Sequence, residues 1–266
     1  MRRAFVSLLA LVVHVSAEVS ASSSTSDYTE PWLSPRVKSI MTRTHGIIMI
    51  PAWLCLAPIA MLTARYLRKD WKDTVAGSQL WFQVHRTLNY TAVIAALIST
   101  VLVVVSHNFR WTGPSPFKNS HKNTSLSALH SLFGVLSTLG AVYQLVGAFF
   151  RPAASASNRR RFNTLHRTVG ILSFVVSWIA IVLATYTFRL FRNNTHAIVL
   201  ACVAALIFVL TVVGFEFMTR RSTGINGEEV DRRKARDRSV YGRKLIFAFA
   251  GVSALLSLVL LVHLII

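Results

Sequence analysis

Apolar and polar positions along this chain come in long blocks, not in the short periods of an amphipathic helix or a half-buried strand. Runs of about 20 residues, rich in Leu, Val, Ala and Ile and nearly free of charge, alternate with polar stretches. At 1.5 Å rise per residue, about 20 such residues cross a bilayer core about 30 Å thick. The pattern predicts six membrane-spanning helices, over 44–67, 81–105, 127–150, 164–188, 195–218 and 245–266. A membrane β-barrel needs alternation over about ten residues per strand, which these runs lack.

The chain opens with Arg2 and Arg3, an apolar stretch over 4–15, and the small residues Ser16 and Ala17. This is a signal-peptide pattern over 1–17, too short to span a membrane. Residues 18–43 then read as a short extracellular or lumenal segment. Residues 44–188 hold four spans. Residues 189–266 hold two trailing spans with a basic loop over 219–244, which its Gly224, Asn226, Gly227 and dense charges mark as a flexible cytosolic loop.

Composition sharpens this reading. The chain is 53% hydrophobic and 15% charged, with a net charge of +19. The basic residues lie between the apolar runs, so the charge reads as the positive-inside bias of a membrane protein, with no nucleic acid as partner. Lys and Arg number four (counting Arg65 at the end of the first span), four and nine in the loops after the first, third and fifth spans, against three and two after the second and fourth. The odd loops are therefore expected in the cytosol. The sequons at Asn123 and Asn193 fall in the two outer loops, which predicts a glycoprotein. The third match, at Asn89, lies inside a span and is read as chance. Cys55 and Cys202 both lie in apolar runs with no C-x-x-C, which argues against a thiol redox centre or a zinc finger.

Four of the nine histidines fall near the starts of the first four spans: His45, His85, His130 and His166. Ionisable groups inside spans are costly and by default point to function. Successive helices alternate in direction, so His45 and His130 are expected near the outer face, and His85 and His166 near the inner face. No Asp or Glu stands near them in the spans, and a zinc site normally wants four ligands. Haem needs only two from the protein, because the porphyrin supplies the other four nitrogens. Gly134 and Gly170 follow His130 and His166 by four residues, on the same helix face, where a missing side chain admits a flat ligand or a close helix neighbour. Arg86 and Arg167 follow two of the histidines at headgroup level, suited to haem propionates or to lipid phosphate.

At this point the residues match a known family. The stretches "RTHGIIMIPAW", "ARYL", "WFQVH", "HSLFGVL", "FFRP" and "FNTLHRTVG", in this order over residues 43–188, resemble the core of the cytochrome b561 family. The resemblance is nearest to its ferric-reductase-like branch, which often carries a DOMON domain; none is read here. It implies an all-α membrane protein: a six-transmembrane-helix bundle with a four-helix, bis-histidine, di-haem core. Two haem b groups are implied, one on His45 and His130 and one on His85 and His166. The implied activity is that of a trans-membrane oxidoreductase, passing electrons from a cytosolic reductant such as ascorbate to an outside acceptor, a ferric chelate or monodehydroascorbate. Ascorbate-using relatives carry a lysine pair shortly before the second ligand, where this chain has only Lys72 between positions 71 and 84. Lys69, Arg151 and Arg161 are the candidates for an anionic substrate on the inner side. His107, with Lys118, His121 and Lys122, is the candidate on the outer side. The alternative is a non-enzymatic haem-binding subunit that partners a separate extracellular redox domain. The lipid bilayer is the expected surrounding, plasma membrane or endomembrane, with a homodimer left open. His196 and His263 find no partner in the sequence.

Overall fold

The computed structural model describes residues 33–153, 155–221 and 228–265. The predicted signal peptide, and the segment after it as far as residue 32, lie outside the described residues. Seven helices and one short hairpin are described. They are α1 (Pro35–Leu67), β1 (Thr74–Val75), β2 (Ser78–Gln79), α2 (Leu80–Ser106), α3 (Ser120–Asn123), α4 (Leu126–Phe149), α5 (Arg159–Thr187), α6 (Asn194–Arg221) and α7 (Glu228–Ile265). All but α3 contain a stretch long and apolar enough to cross a membrane, so the chain is an integral, multi-pass membrane protein.

The six long helices form a closed ring in chain order. Each packs on the next, and α7 returns to α1. Their seams are lined by small residues, as expected where lipid offers apolar side chains no reason to leave it. Ser137, Thr138 and Ala141 of α4 and Ser173, Ser177 and Ala180 of α5 are all buried. A Cβ added at Gly140 would strike the Ser173 hydroxyl, so that glycine is what lets α4 and α5 close up. Large apolar side chains such as Ile98, Val101, Leu172, Leu210 and Phe247 point outward, suited to lipid.

Helix α1 begins well before the apolar run. The Ser34 hydroxyl accepts from the Val37 N–H, and Pro35 takes the first helical position, where its missing N–H costs nothing. Residues 35–43 are therefore helix. Pro51 and Pro58 do more than bend α1. Two π-helical turns, Ala52–Leu56 and Thr63–Leu67, interrupt it. Proline at 58 has no N–H to offer the Leu54 carbonyl four residues back. The Ser253 hydroxyl of α7 donates to that carbonyl instead.

Two further elements depart from the sequence reading. Residues 74–79 form a hairpin whose turn residues, Ala76 and Gly77, both have positive φ (47° and 78°), the geometry of a tight two-residue turn. The basic stretch read as a flexible loop over 219–244 is largely helix: α6 runs on to Arg221 and α7 starts at Glu228, with residues 222–227 outside the described residues. Hydropathy misses such a segment because Glu, Lys, Arg and Ala favour helix as strongly as apolar residues do.

Candidate functional site

The four span histidines meet as two pairs, each joining helices diagonal to one another in α1, α2, α4 and α5. His45 of α1 faces His130 of α4, with ring centres 6.4 Å apart and planes at 86°. His85 of α2 faces His166 of α5, at 6.3 Å and 67°. Two imidazoles sharing one metal on a straight axis, with bonds of about 2.0–2.1 Å, would hold their ring centres roughly 6.3 Å apart. Both pairs meet that spacing.

The rings are fixed from behind. His45 Nδ1 lies 3.0 Å from the Ser99 carbonyl, His85 Nδ1 lies 3.0 Å from the Ala60 carbonyl, and His130 Nδ1 lies 2.9 Å from the Ala180 carbonyl. A carbonyl only accepts, so each of these nitrogens carries the proton, and each Nε2 keeps its lone pair free to bind a metal. That is how metal-ligating histidines are oriented. The buried Ser99 hydroxyl also donates to the His45 carbonyl at 3.0 Å. Asn89, four residues after His85, donates to the His85 carbonyl at 2.8 Å, with its amide nitrogen 3.2 Å from the His85 Nδ1. His166 stacks on Phe162, and Phe188 meets His130 edge-on at 5.1 Å.

These bonds also set the depth of the pairs. His85 and Ser99 stand on one helix, as do His166 and Ala180, about 14 residues or roughly 21 Å apart, so the pairs lie at two levels, inner and outer by the loop charges. The surroundings suit a flat polar-edged group. A Cβ added at Gly134 would meet nothing within 4 Å. Beside Gly170 lies Gln144, whose buried amide has no hydrogen-bond partner. Among the described residues no third His, Cys, Asp or Glu joins either pair. A metal held there must bring its remaining ligands with it, as iron in a porphyrin does.

At the inner end, aromatic rings organise arginines. Arg151 and Arg86 both lie over Phe82, at 5.2 Å and 5.6 Å, and Arg68 lies over Trp81 at 5.3 Å. Burial pushes the Arg151 guanidinium below its usual value, and the charges of Arg159 and Arg68 push the same way. A cleft of about 610 Å³ beside it gathers Arg159, Arg160 and Arg167. Arg159 and Arg160, which directly precede the candidate Arg161 in the chain, line this cleft. Lys69 is exposed after α1, and Arg161 does not line the cleft. The "ARYL" motif has a packing role. Arg65 and the Tyr66 hydroxyl bind the same oxygen of Glu216 on α6, at 2.6 Å and 2.7 Å, and Tyr66 stacks on Phe215.

At the outer end, His107 closes α2 with Nδ1 2.9 Å from the Val103 carbonyl. Of the residues expected around it, Lys118 is engaged with the loop backbone, tied to the carbonyls of Trp111 and Gly113 at 3.3 Å and 2.7 Å. The Asn123 amide donates to the Ser115 and Lys118 carbonyls, which turns that sequon's side chain inward. Those contacts depend on how a loop folds, and no spacing in the sequence signals them.

The fold is a membrane helix bundle that brings four span histidines together as two pairs. The family model described as eukaryotic cytochrome b561 matches residues 44–192, more than half of the chain, and the chain belongs to that family. As a member it is a b-type haem protein of the membrane. Similar curated proteins include ferric-chelate reductase 1 of Bos taurus, 28% identical over 138 residues, and of Homo sapiens, 27% identical over 139 residues, each covering 52% of this chain and 21% of the relative. A cytochrome b561 and DOMON domain-containing protein of Arabidopsis thaliana is 30% identical over 139 residues, 52% of this chain and 30% of that protein. The chain therefore spans about a fifth of the ferric-chelate reductases it matches. No solved structure matches it.

Proposed function

We propose that this chain moves electrons across the membrane through two haem b groups, one bound by His85 and His166 at the inner level and one by His45 and His130 at the outer level. The observation that carries the reading is the pair of ring separations, 6.3 Å and 6.4 Å, at two depths of one bundle. Each haem, when bound, supplies a one-electron iron couple closed on both faces by imidazole. The chain's own residues do the rest. The carbonyls of Ser99, Ala60 and Ala180 hold the ring protons on Nδ1. Gly134 leaves room at the outer level, and Gly170 and the unpartnered amide of Gln144 line the inner one. Arg86 and Arg167, one residue after His85 and His166, would in this reading pair with haem carboxylates.

The donor in this reading is a small cytosolic anion, with ascorbate as the candidate, drawn to Arg68, Arg151 and Arg159. Like charges crowded together favour an anionic guest. The acceptor in this reading is a ferric chelate or monodehydroascorbate on the outer side. The names of the bovine and human relatives support the former. The test is reconstitution of the purified protein into ascorbate-loaded vesicles with a ferric chelate outside. Reduction of the chelate is expected. Full haem content with no reduction would overturn the transfer reading in favour of a haem-carrying subunit that serves a separate redox domain.

A further inference from the structure

Two histidines outside the four-helix core find each other in the folded chain. His196 stands in the first turn of α6 and His263 in the last turn of α7, and their ring centres are 5.9 Å apart with planes at 75°. They line a cavity of about 320 Å³ together with Arg192, Asn193 and Val262. We propose that His196 and His263 form a two-imidazole binding site for a first-row transition ion on the outer rim of the bundle.

The spacing admits a single ion. With metal–nitrogen bonds of about 2.0–2.1 Å, two imidazole centres lie roughly 5.1 Å apart at a tetrahedral angle and roughly 6.3 Å apart on a straight axis. The observed separation falls between these limits. The partners are also held in advance. His263 Nδ1 lies 3.0 Å from the Val259 carbonyl, so that nitrogen carries the proton and Nε2 keeps its lone pair. The Asn193 side chain accepts from the His196 N–H at 3.1 Å and fixes the first turn of α6. The Arg192 N–H donates to the His263 carbonyl at 2.7 Å and ties the loop between α5 and α6 to the end of α7.

Ligand chemistry narrows the guest. Neutral imidazole suits zinc, copper and nickel, whereas calcium and magnesium want oxygen. Among the described residues no acid lines the cavity, so two protein ligands leave positions open to solvent or to a ligand the ion brings along. The Arg192 charge favours an anion in those positions. The site opens outward and stands apart from the four core histidines. It therefore does not depend on the electron-transfer reading, and redox-inert zinc probes it without any electron moving.

The experiment uses the full-length, haem-loaded protein in detergent, with zinc titrated against diethyl pyrocarbonate labelling of histidines and read by mass spectrometry. Zinc should protect His196 and His263 together while His107 and His121 stay reactive. In parallel, equilibrium dialysis should give a zinc Kd that rises roughly tenfold or more in His196→Ala and in His263→Gln, with an unchanged haem spectrum as the check on folding. Joint protection with weakened binding in both variants supports the site. Protection of neither residue, protection of His107 or His121 instead, or an unchanged Kd in both variants would overturn it, and the wild-type labelling decides the matter should a variant fail to fold.

Discussion

The proton on Nδ1 decides what His45, His85 and His130 can do, because a backbone carbonyl behind each ring leaves Nε2 to face inward. If the pairs hold iron, His85→Ala and His130→Ala should each lower the haem-to-protein ratio from two to one, measured as pyridine haemochrome against amino-acid analysis. A ratio that stays at two in either variant would sink the ligand assignment. Ser99 offers a finer test. Its hydroxyl donates to the His45 carbonyl, while its own carbonyl takes the His45 ring proton. Ser99→Ala removes the hydroxyl, which also lies 2.9 Å from the His45 Nδ1, and leaves the Ser99 carbonyl in place. Haem content should hold, and stability should drop by about 1 kcal/mol, seen as a fall of a few degrees in Tm.

Helix α1 shows how an element absorbs a broken hydrogen-bond ladder. The Leu54 carbonyl, orphaned by Pro58, is taken up by Ser253 of α7. Ser253→Ala should therefore cost about 1–3 kcal/mol, since a buried carbonyl is left without a donor. In a Pro58→Ala background the restored backbone N–H can reach Leu54, so the same serine change should cost clearly less. A double-mutant cycle on thermal unfolding reads the difference, and equal costs in both backgrounds would refute the pairing. The ion pair between Arg65 and Glu216 is a weaker fastener, because both side chains are more than a third exposed (56% and 36%). Glu216→Gln should change stability by only about 0.2–1 kcal/mol in the same assay.

For the whole molecule, the uneven charge has a kinetic consequence. Arg68, Arg151 and Arg159 crowd the inner mouth, beside a cleft lined by Arg159, Arg160 and Arg167. Encounter with an anionic donor should slow as salt rises, since the Debye length shrinks from about 10 Å at 0.1 M to about 3 Å at 1 M. Arg151→Gln should raise the KM for ascorbate while haem content and the spectrum stay the same. Stopped-flow reduction at several ionic strengths checks both, and a rate indifferent to salt would remove the cluster from the donor site.

Much of this architecture was legible in the chain itself. Six apolar blocks fix six crossings because a bilayer leaves backbone groups no partner but their own helix. Alternating helix direction sorts four histidines into two levels, for any chain that crosses the membrane in order. Short polar details were less legible. The hairpin at 74–79 is too brief to leave a hydropathy signature, and the helical start of α7 hides in charged residues that also favour helix. What only the tertiary structure decided is which distant groups share a place: Ser253 with Leu54, Glu216 with Arg65 and Tyr66, and His196 with His263. A sequence determines how far each residue lies along its own helix. Which neighbour it faces depends on the rotation and closure of the ring, set by how small residues such as Gly140 and Ser173 let the helices approach.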